Sequence, residues 1–265
     1  MIPNNLRSRW AEGRAVLNGW LSIGSGFGAE IMAAQGYDSL TVDLQHGALD
    51  YRDMLAMFQA MRASGVVPMA RVPWLEPGSI MRALDAGAYG VICPMVNSAA
   101  DAARFVDCMR YPPQGQRSFG PTRARFASGG DPSVEANATV LALAMIETRE
   151  ALEAVEAIAA TPGLDGLYIG PSDLGLSLGG GQAPARMDHE DPGIRAAIDR
   201  IRQAGQARGL RVGIHCASPD YAARMVAEGF DLVTVSGDVG LLAGAAQASV
   251  ARFRALAEGG GTAAD

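Results

Sequence analysis

The chain contains no lysine: all 22 of its basic residues are arginine. A lysine Schiff base, the usual covalent way to activate a ketone, is therefore closed to it. Any carbanion made beside a carbonyl needs a metal ion or another electrophile. Cysteine is scarce too. Cys93, Cys108 and Cys216 form no CxxC motif and, being three, cannot all pair. That implies a reducing, cytoplasmic setting. There is no basic run and no arginine–aromatic ladder, and the net charge is −6. Nucleic acid and anionic membrane are excluded as expected partners. The N-terminal MIPNNLRSRW lacks the apolar core of a signal peptide. The longest clear apolar run, VLALAMI, is seven residues, far short of a membrane span. No GxGxxG is present. The stretch IGSGFGAE places Gly24, Gly26 and Gly28 at the spacing of a tight loop entering a helix.

What is present suits one large core: 265 residues, 49% hydrophobic and only 19% charged. Short apolar runs at 20–23, 40–44, 68–72, 90–94, 140–146, 166–169, 211–215 and 232–235 read as strands. Between them lie helical patterns such as DYRDMLAMFQAMRASG, where Met54, Leu55, Phe58 and Met61 recur at three- and four-residue spacing. Gly65, Gly87, Gly209 and Gly229 end helices. Eight strand–helix repeats predict a parallel sheet closed as a (β/α)8 TIM barrel, with an open doubly wound sheet as the rival. The barrel is expected to occupy residues 1–256 as one domain, with 257–265 as a disordered tail. Two long connections, 110–139 and 179–193, are expected on the active-site face.

Chemistry in such a barrel collects at the C-terminal ends of the strands. The polar residues at those ends are His46 in TVDLQHG, Arg71 in MARVPW, Glu147 in AMIETRE and Asp173 in GPSDLG. Each has a bland reading: a core histidine, a structural ion pair, a helix-dipole acid and a helix cap. All four on one rim favour a site. Glu147 and Asp173 are 26 residues apart, one strand–helix unit, so they end adjacent strands ~4.8 Å apart. Two carboxylates that close need a cation or proton between them. An all-oxygen ligand set favours Mg²⁺ or Mn²⁺. The first turn of GPSDL offers N–H groups for a carboxylate, and Arg71 can hold an oxyanion.

These motifs, taken in order (VDLQHG, ARVPW, LDAGAYGVICPMV, RYPPQGQRSFG, IETRE, IGPSDL), resemble the HpcH/HpaI family of class II pyruvate aldolases, which includes 4-hydroxy-2-oxoheptanedioate aldolase. The resemblance runs from about Gly19 to about Phe253. It implies a (β/α)8 barrel, a divalent metal (Mg²⁺ or Mn²⁺, with Co²⁺ or Zn²⁺ as options) and a homo-oligomer, a hexamer built as a trimer of dimers. It implies Glu147 and Asp173 as metal ligands and Arg71 as the enolate-stabilising residue. His46 becomes the acid/base residue, paired with Asp85 through a water. Gly170, Ser172 and Asp173 bind the carboxylate of the 2-oxo acid. Two positions depart from the family pattern. Gln45 stands where many members have glutamate, and Met145 where many have glutamine. Asp43 and Gln45 are expected behind the metal and the histidine.

The implied reaction is reversible cleavage of a 4-hydroxy-2-oxo acid to pyruvate, or hydroxypyruvate, and an aldehyde. A carbon–carbon lyase acting on a CoA thioester and a non-catalytic carboxylate-binding barrel are the alternatives. Formation of the 2-oxo acid without CoA separates the first, and a need for the proton carrier His46 separates the second. The remaining histidines receive bland readings: His189 solvated or near the aldehyde, His215 beside Cys216 as core filling. A zinc site from Cys93, His215 and Cys216 has no supporting ligand spacing. Two readings stand open for Arg123 and Arg125, an anionic aldehyde and a neighbouring subunit, and neither is chosen.

Overall fold

The inward face of the barrel is set by the two-residue period of its strands. Val16, Asn18 and Trp20, then Leu141, Leu143 and Met145, alternate with side chains that face the helices. The computed structural model describes residues 1–180 and 184–259. Eight parallel strands close in chain order: β1 (Val16–Leu21), β2 (Ser39–Asp43), β3 (Val67–Arg71), β4 (Gly90–Cys93), β5 (Leu141–Ile146), β6 (Gly166–Ile169), β7 (Arg211–Cys216) and β8 (Leu232–Gly237). All eight expected strands are present. The first begins earlier than its run suggested, because Val16 pairs with Leu232 to close the ring.

Two cores follow from that alternation. Leu21, Val42, Val91, Ile146 and Ile214 face outward against the helices, while Val16, Met69, Leu143 and Tyr168 fill the barrel. On the helix Tyr51–Met61 the buried stripe is Met54, Met57, Phe58 and Met61, with Leu55 only half-buried. Asp50 and Asp53 close its first turn as a capping box. Gly87 ends its helix at φ 109°, a left-handed geometry that costs glycine little.

Midway down the barrel a polar layer is satisfied internally. Asn18 Oδ1 accepts from Ser39 Oγ and Thr41 Oγ1, and Asn18 Nδ2 donates to Thr234 Oγ1. The Tyr168 hydroxyl lies 2.7 Å from Thr234 Oγ1.

One long connection is not where the sequence placed it. Strand β4 is followed by the helix Ala99–Met109, which carries the chain back to the N-terminal end of the strands. Residues 110–139 therefore lie at the face opposite the site. Arg110, for instance, binds Asp165, which precedes β6. The described part of the other, 184–193, does return to the C-terminal face: Asp188 accepts from the backbone N–H of Ala217 and Ser218, just after β7. The last helix, Asp238–Gly259, covers the first residues of the expected tail; residues 260–265, like 181–183, lie outside the described residues. No helix among the described residues is long and apolar enough to cross a membrane.

Candidate active site

Asp43 and Arg71 end neighbouring strands and are register partners. Arg71 Nε donates to Asp43 Oδ1 at 2.9 Å, and Nη2 donates to Oδ2 at 2.6 Å. The same carboxylate accepts from Trp20 Nε1 and from the backbone N–H of Gln45 and His46. Burial pushes the Asp43 pKa up, but the hydrogen bonds and charge of Arg71 outweigh it and hold the carboxyl below its usual value. Asp43 is thus a clamp. It fixes the guanidinium over the Trp20 ring, 4.8 Å from the centroid, and leaves Nη1 without a protein partner among the described residues. The structural reading of Arg71 as an ion-pair residue is met by Asp43. Asp43 holds the backbone of His46, not its ring. Gln45 does not reach the cavity wall, and its Oε1 is buried without a partner among the described residues.

His46 sits on the turn after β2. A Cβ at Gly47 would lie 2.3 Å from the Asp43 carbonyl oxygen, so the turn that presents the imidazole at the mouth requires glycine there.

Glu147 follows β5, and Asp173 stands in the first turn of the helix Pro171–Leu178, after the adjacent β6. Glu147 is 2% exposed. Its Oε1 accepts from the Met95 N–H at 2.7 Å, and its Oε2 packs against Gly170, where a Cβ would come within 2.7 Å. Burial drives the Glu147 pKa up to about 7; the Met95 N–H opposes this, Asp173 adds to it, and Arg71 partly offsets it. A buried carboxylate beside a second one is the arrangement that a bound cation relieves. Among the described residues no three His, Cys, Asp or Glu side chains are grouped to hold a metal ion. That removes the Cys93–His215–Cys216 zinc reading. It leaves a two-carboxylate, all-oxygen set that fits a hard divalent ion taking its other ligands from water and substrate. The helix beside it begins at Gly170 with no side-chain cap and with Pro171 in its first turn, so the N–H groups of Ser172 and Asp173 are unspent.

These groups surround a cavity of about 590 Å³ at the barrel mouth. Asp43, His46, Arg71, Gly170, Ser172 and Asp173 line it, and Glu147 lies one layer behind Gly170 and Met145. A larger cavity of about 800 Å³ opens beside the helix Pro192–Gln206, outside the barrel, and contains none of these six residues. The smaller one is the candidate site because the converging polar groups are there.

Three expectations are corrected. Asp85 is not beside His46. It lies at the end of the helix Pro77–Ala86, which has run from the mouth towards the opposite face, and its carboxylate binds Arg117 Nη2 at 2.8 Å. Arg123 is spent on the backbone carbonyls of Ala86 and Phe58, and neither it nor the exposed Arg125 lines the mouth, which removes the aldehyde reading and leaves the neighbouring-subunit one as it stood. His189 is 5% exposed, not solvated, and its Nε2 lies 3.1 Å from the Pro171 carbonyl oxygen. Sequence reasoning missed Trp20 and His215 as wall residues. Strand parity was the available signal: each shares the inward phase of its strand.

Fold and site together define an aldolase-type barrel, with its chemistry at the C-terminal strand ends. The HpcH/HpaI aldolase/citrate lyase family model matches residues 20–245. A hydroxypyruvate/pyruvate aldolase of Rhizorhabdus wittichii is 42% identical over 96% of this chain and 100% of its own length. A 4-hydroxy-2-oxo-heptane-1,7-dioate aldolase of Shigella flexneri is 34% identical over 95% of this chain and 94% of its own. The crystal structure of an HpcH/HpaI aldolase/citrate lyase family protein from Burkholderia cenocepacia superposes with a TM-score of 0.86 at 35% identity, covering 95% of this chain and 99% of that one. The chain belongs to the HpcH/HpaI aldolase/citrate lyase family. It is a carbon–carbon lyase of the aldolase kind.

Proposed function

We propose that the chain reversibly cleaves 4-hydroxy-2-oxo acids to pyruvate or hydroxypyruvate and an aldehyde, with a divalent ion held by Glu147 and Asp173. The observation that carries this is the buried Glu147 carboxylate under the charge of the exposed Asp173, near an arginine clamped by Asp43. Mg²⁺ or Mn²⁺ suits the oxygen donors best, and Co²⁺ or Zn²⁺ is the alternative. When bound, the ion supplies Lewis acidity at the 2-oxo group.

The chain's own groups do the rest. The N–H groups of Ser172 and Asp173, at the start of their helix, hold the substrate carboxylate beside Gly170. Arg71 donates through its unspent Nη1 to the 2-oxo oxygen as negative charge develops there. In cleavage His46 takes the proton of the C4 hydroxyl as the C3–C4 bond breaks. The bond's electron pair moves to C3 and the 2-oxo oxygen, giving an enolate, and the aldehyde departs. A proton delivered to C3 completes the free 2-oxo acid; synthesis runs the same steps backward. His46 performs its step without Asp85 from its own chain.

The purified chain is expected to release 2-oxo acid from a 4-hydroxy-2-oxo acid without CoA. A chelator should stop the reaction, and Mg²⁺, Mn²⁺ or Co²⁺ should restore it. Full activity in excess chelator refutes the metal assignment, and a strict need for CoA refutes the substrate class.

A homo-oligomer, a hexamer of paired subunits, is part of this proposal. Leu242 and Phe253 stand 64% and 71% exposed on the last helix, apolar surface that a second subunit would cover. Light scattering that returns a monomer would remove this part. The three cysteines are unpaired, which supports a cytoplasmic location.

A further inference from the structure

His215 is a partly buried titratable group that this mechanism does not use. It lies on β7 in the inward phase and lines the mouth. Its ring packs edge-on against Trp20, with centroids 4.6 Å apart. Nδ1 is 3.1 Å from the Tyr168 hydroxyl, which is anchored in turn on Thr234 and, through it, on Asn18. The ring is therefore held in place, while Nε2 has no protein partner among the described residues. Burial, aided by the nearby Arg71 charge, pulls the His215 pKa down to about 4, so the imidazole is neutral near pH 7. A neutral ring is a poor anion site and a good partner for an uncharged polar group.

The strand order says which substrate atom meets it. Carbon 2 of a 2-oxo acid is planar, with three evenly spaced substituents: the carboxylate, the oxo oxygen and carbon 3. On the reading above, the carboxylate lies over β6 and the oxo oxygen points to Arg71 on β3. Glu147, on β5, fills the side between them. Carbon 3 then faces the remaining wall, formed by His215 on β7, Ser236 on β8 and Trp20 on β1. Ser236 Oγ already donates to the Ala217 carbonyl, and the Trp20 N–H to Asp43. Nε2 of His215 is the polar group left over. The Tyr168 hydroxyl can donate to Nδ1 or accept from it, so Nε2 either donates or accepts. A hydroxyl satisfies both tautomers; a methyl group satisfies neither.

We propose that His215 is a specificity residue that hydrogen-bonds the hydroxyl on carbon 3 of the donor, making a 3-hydroxy-2-oxo acid a better donor than pyruvate. This deepens the proposed function and rests on it. The physical basis is the penalty for leaving a polar group unpaired once bound substrate shuts water out, which a site charges against the analogue lacking the hydroxyl.

The test uses the metal-replete full chain and measures kcat/KM for hydroxypyruvate and for pyruvate with one apolar aldehyde, propanal. His215→Phe keeps the packing on Trp20 and drops the nitrogen. It is expected to lower the hydroxypyruvate-to-pyruvate ratio about tenfold. His215→Gln, whose amide reaches the Nε2 position, is expected to keep the ratio within about threefold of the parent. His215→Leu serves as a second nitrogen-free variant should the phenylalanine protein not fold. An unchanged ratio in the nitrogen-free variants overturns the proposal. So does an equal loss for both donors in all variants. If the unaltered chain condenses neither donor, the aldolase reading itself has failed and this inference falls with it; if the unaltered chain is active and only the ratio does not move, His215 alone is misassigned.

Discussion

Exchange of Glu147 for Gln is expected to lower kcat/KM for aldol cleavage by at least about 10³-fold, since Lewis-acid stabilisation of the oxyanion is worth several kcal/mol. The amide keeps the shape and the hydrogen bond from Met95 but removes half of the negative charge that would hold the ion. The loss should appear first in Mn²⁺ binding, measured by paramagnetic resonance without any substrate. A Gln variant that binds Mn²⁺ as tightly as the parent would end Glu147's role as a ligand.

The same residue carries a signature in stability. In metal-free protein its pKa is pushed from 4.5 to about 7 by burial and by Asp173. The folded state therefore keeps a proton that the unfolded chain gives up. The sign is that of a raised carboxyl: its contribution is fully present below about 4.5 and is lost as the pH rises through about 7. The shift corresponds to about 3 kcal/mol of unfolding free energy across that window. In chelator, the parent's unfolding midpoint should fall between pH 5 and 7.5 relative to Glu147→Gln. Added divalent cation should reverse the trend by favouring the ionised form. Parallel pH curves for the two proteins would show that Glu147 is not a buried, charge-pressed carboxyl.

Replacement of His46 by Ala is expected to reduce aldol turnover by a factor of roughly 10²–10⁴, the usual worth of a positioned proton carrier. Pyruvate binding, read by calorimetry with Mg²⁺ present, should stay close to the parent's, because the carboxylate and oxyanion sites lie on other strands. Added imidazole should recover part of the rate. His46 belongs to a turn built by Gly47 and Asp43 and is exposed at the mouth, so the substitution leaves the core untouched. Turnover unaffected by the change would reject the acid/base assignment and reopen the case for a binding barrel.

Much of this site was legible before any coordinates. Asp43 was expected behind His46 or a metal-bound water and Arg71 on the rim; that the two pair with each other came only from the register of β2 and β3. Glu147 and Asp173 followed from one strand–helix repeat between them. The misplaced residues share a different cause. Asp85 and residues 110–139 are tied to helices that run back from the mouth, and their distance from the site depends on where each helix ends. His215 sat beside Cys216 and looked like filling. The partners that make it informative, Trp20, Tyr168 and Thr234, come from three other strands. His189 looked solvated because its segment is polar, yet the Pro171 carbonyl captures it.

Local features of the chain were enough for the eight-stranded barrel, for the exclusion of a lysine Schiff base and for a single candidate rim. Apolar periodicity, an absence of lysine and a one-unit spacing of acids are local properties of a chain. Only the tertiary structure decided which polar groups share a wall, which are already spent on a partner, and which nitrogen still faces the cavity. Those depend on side chains from strands far apart in sequence, whose burial sets both their hydrogen bonds and their charge.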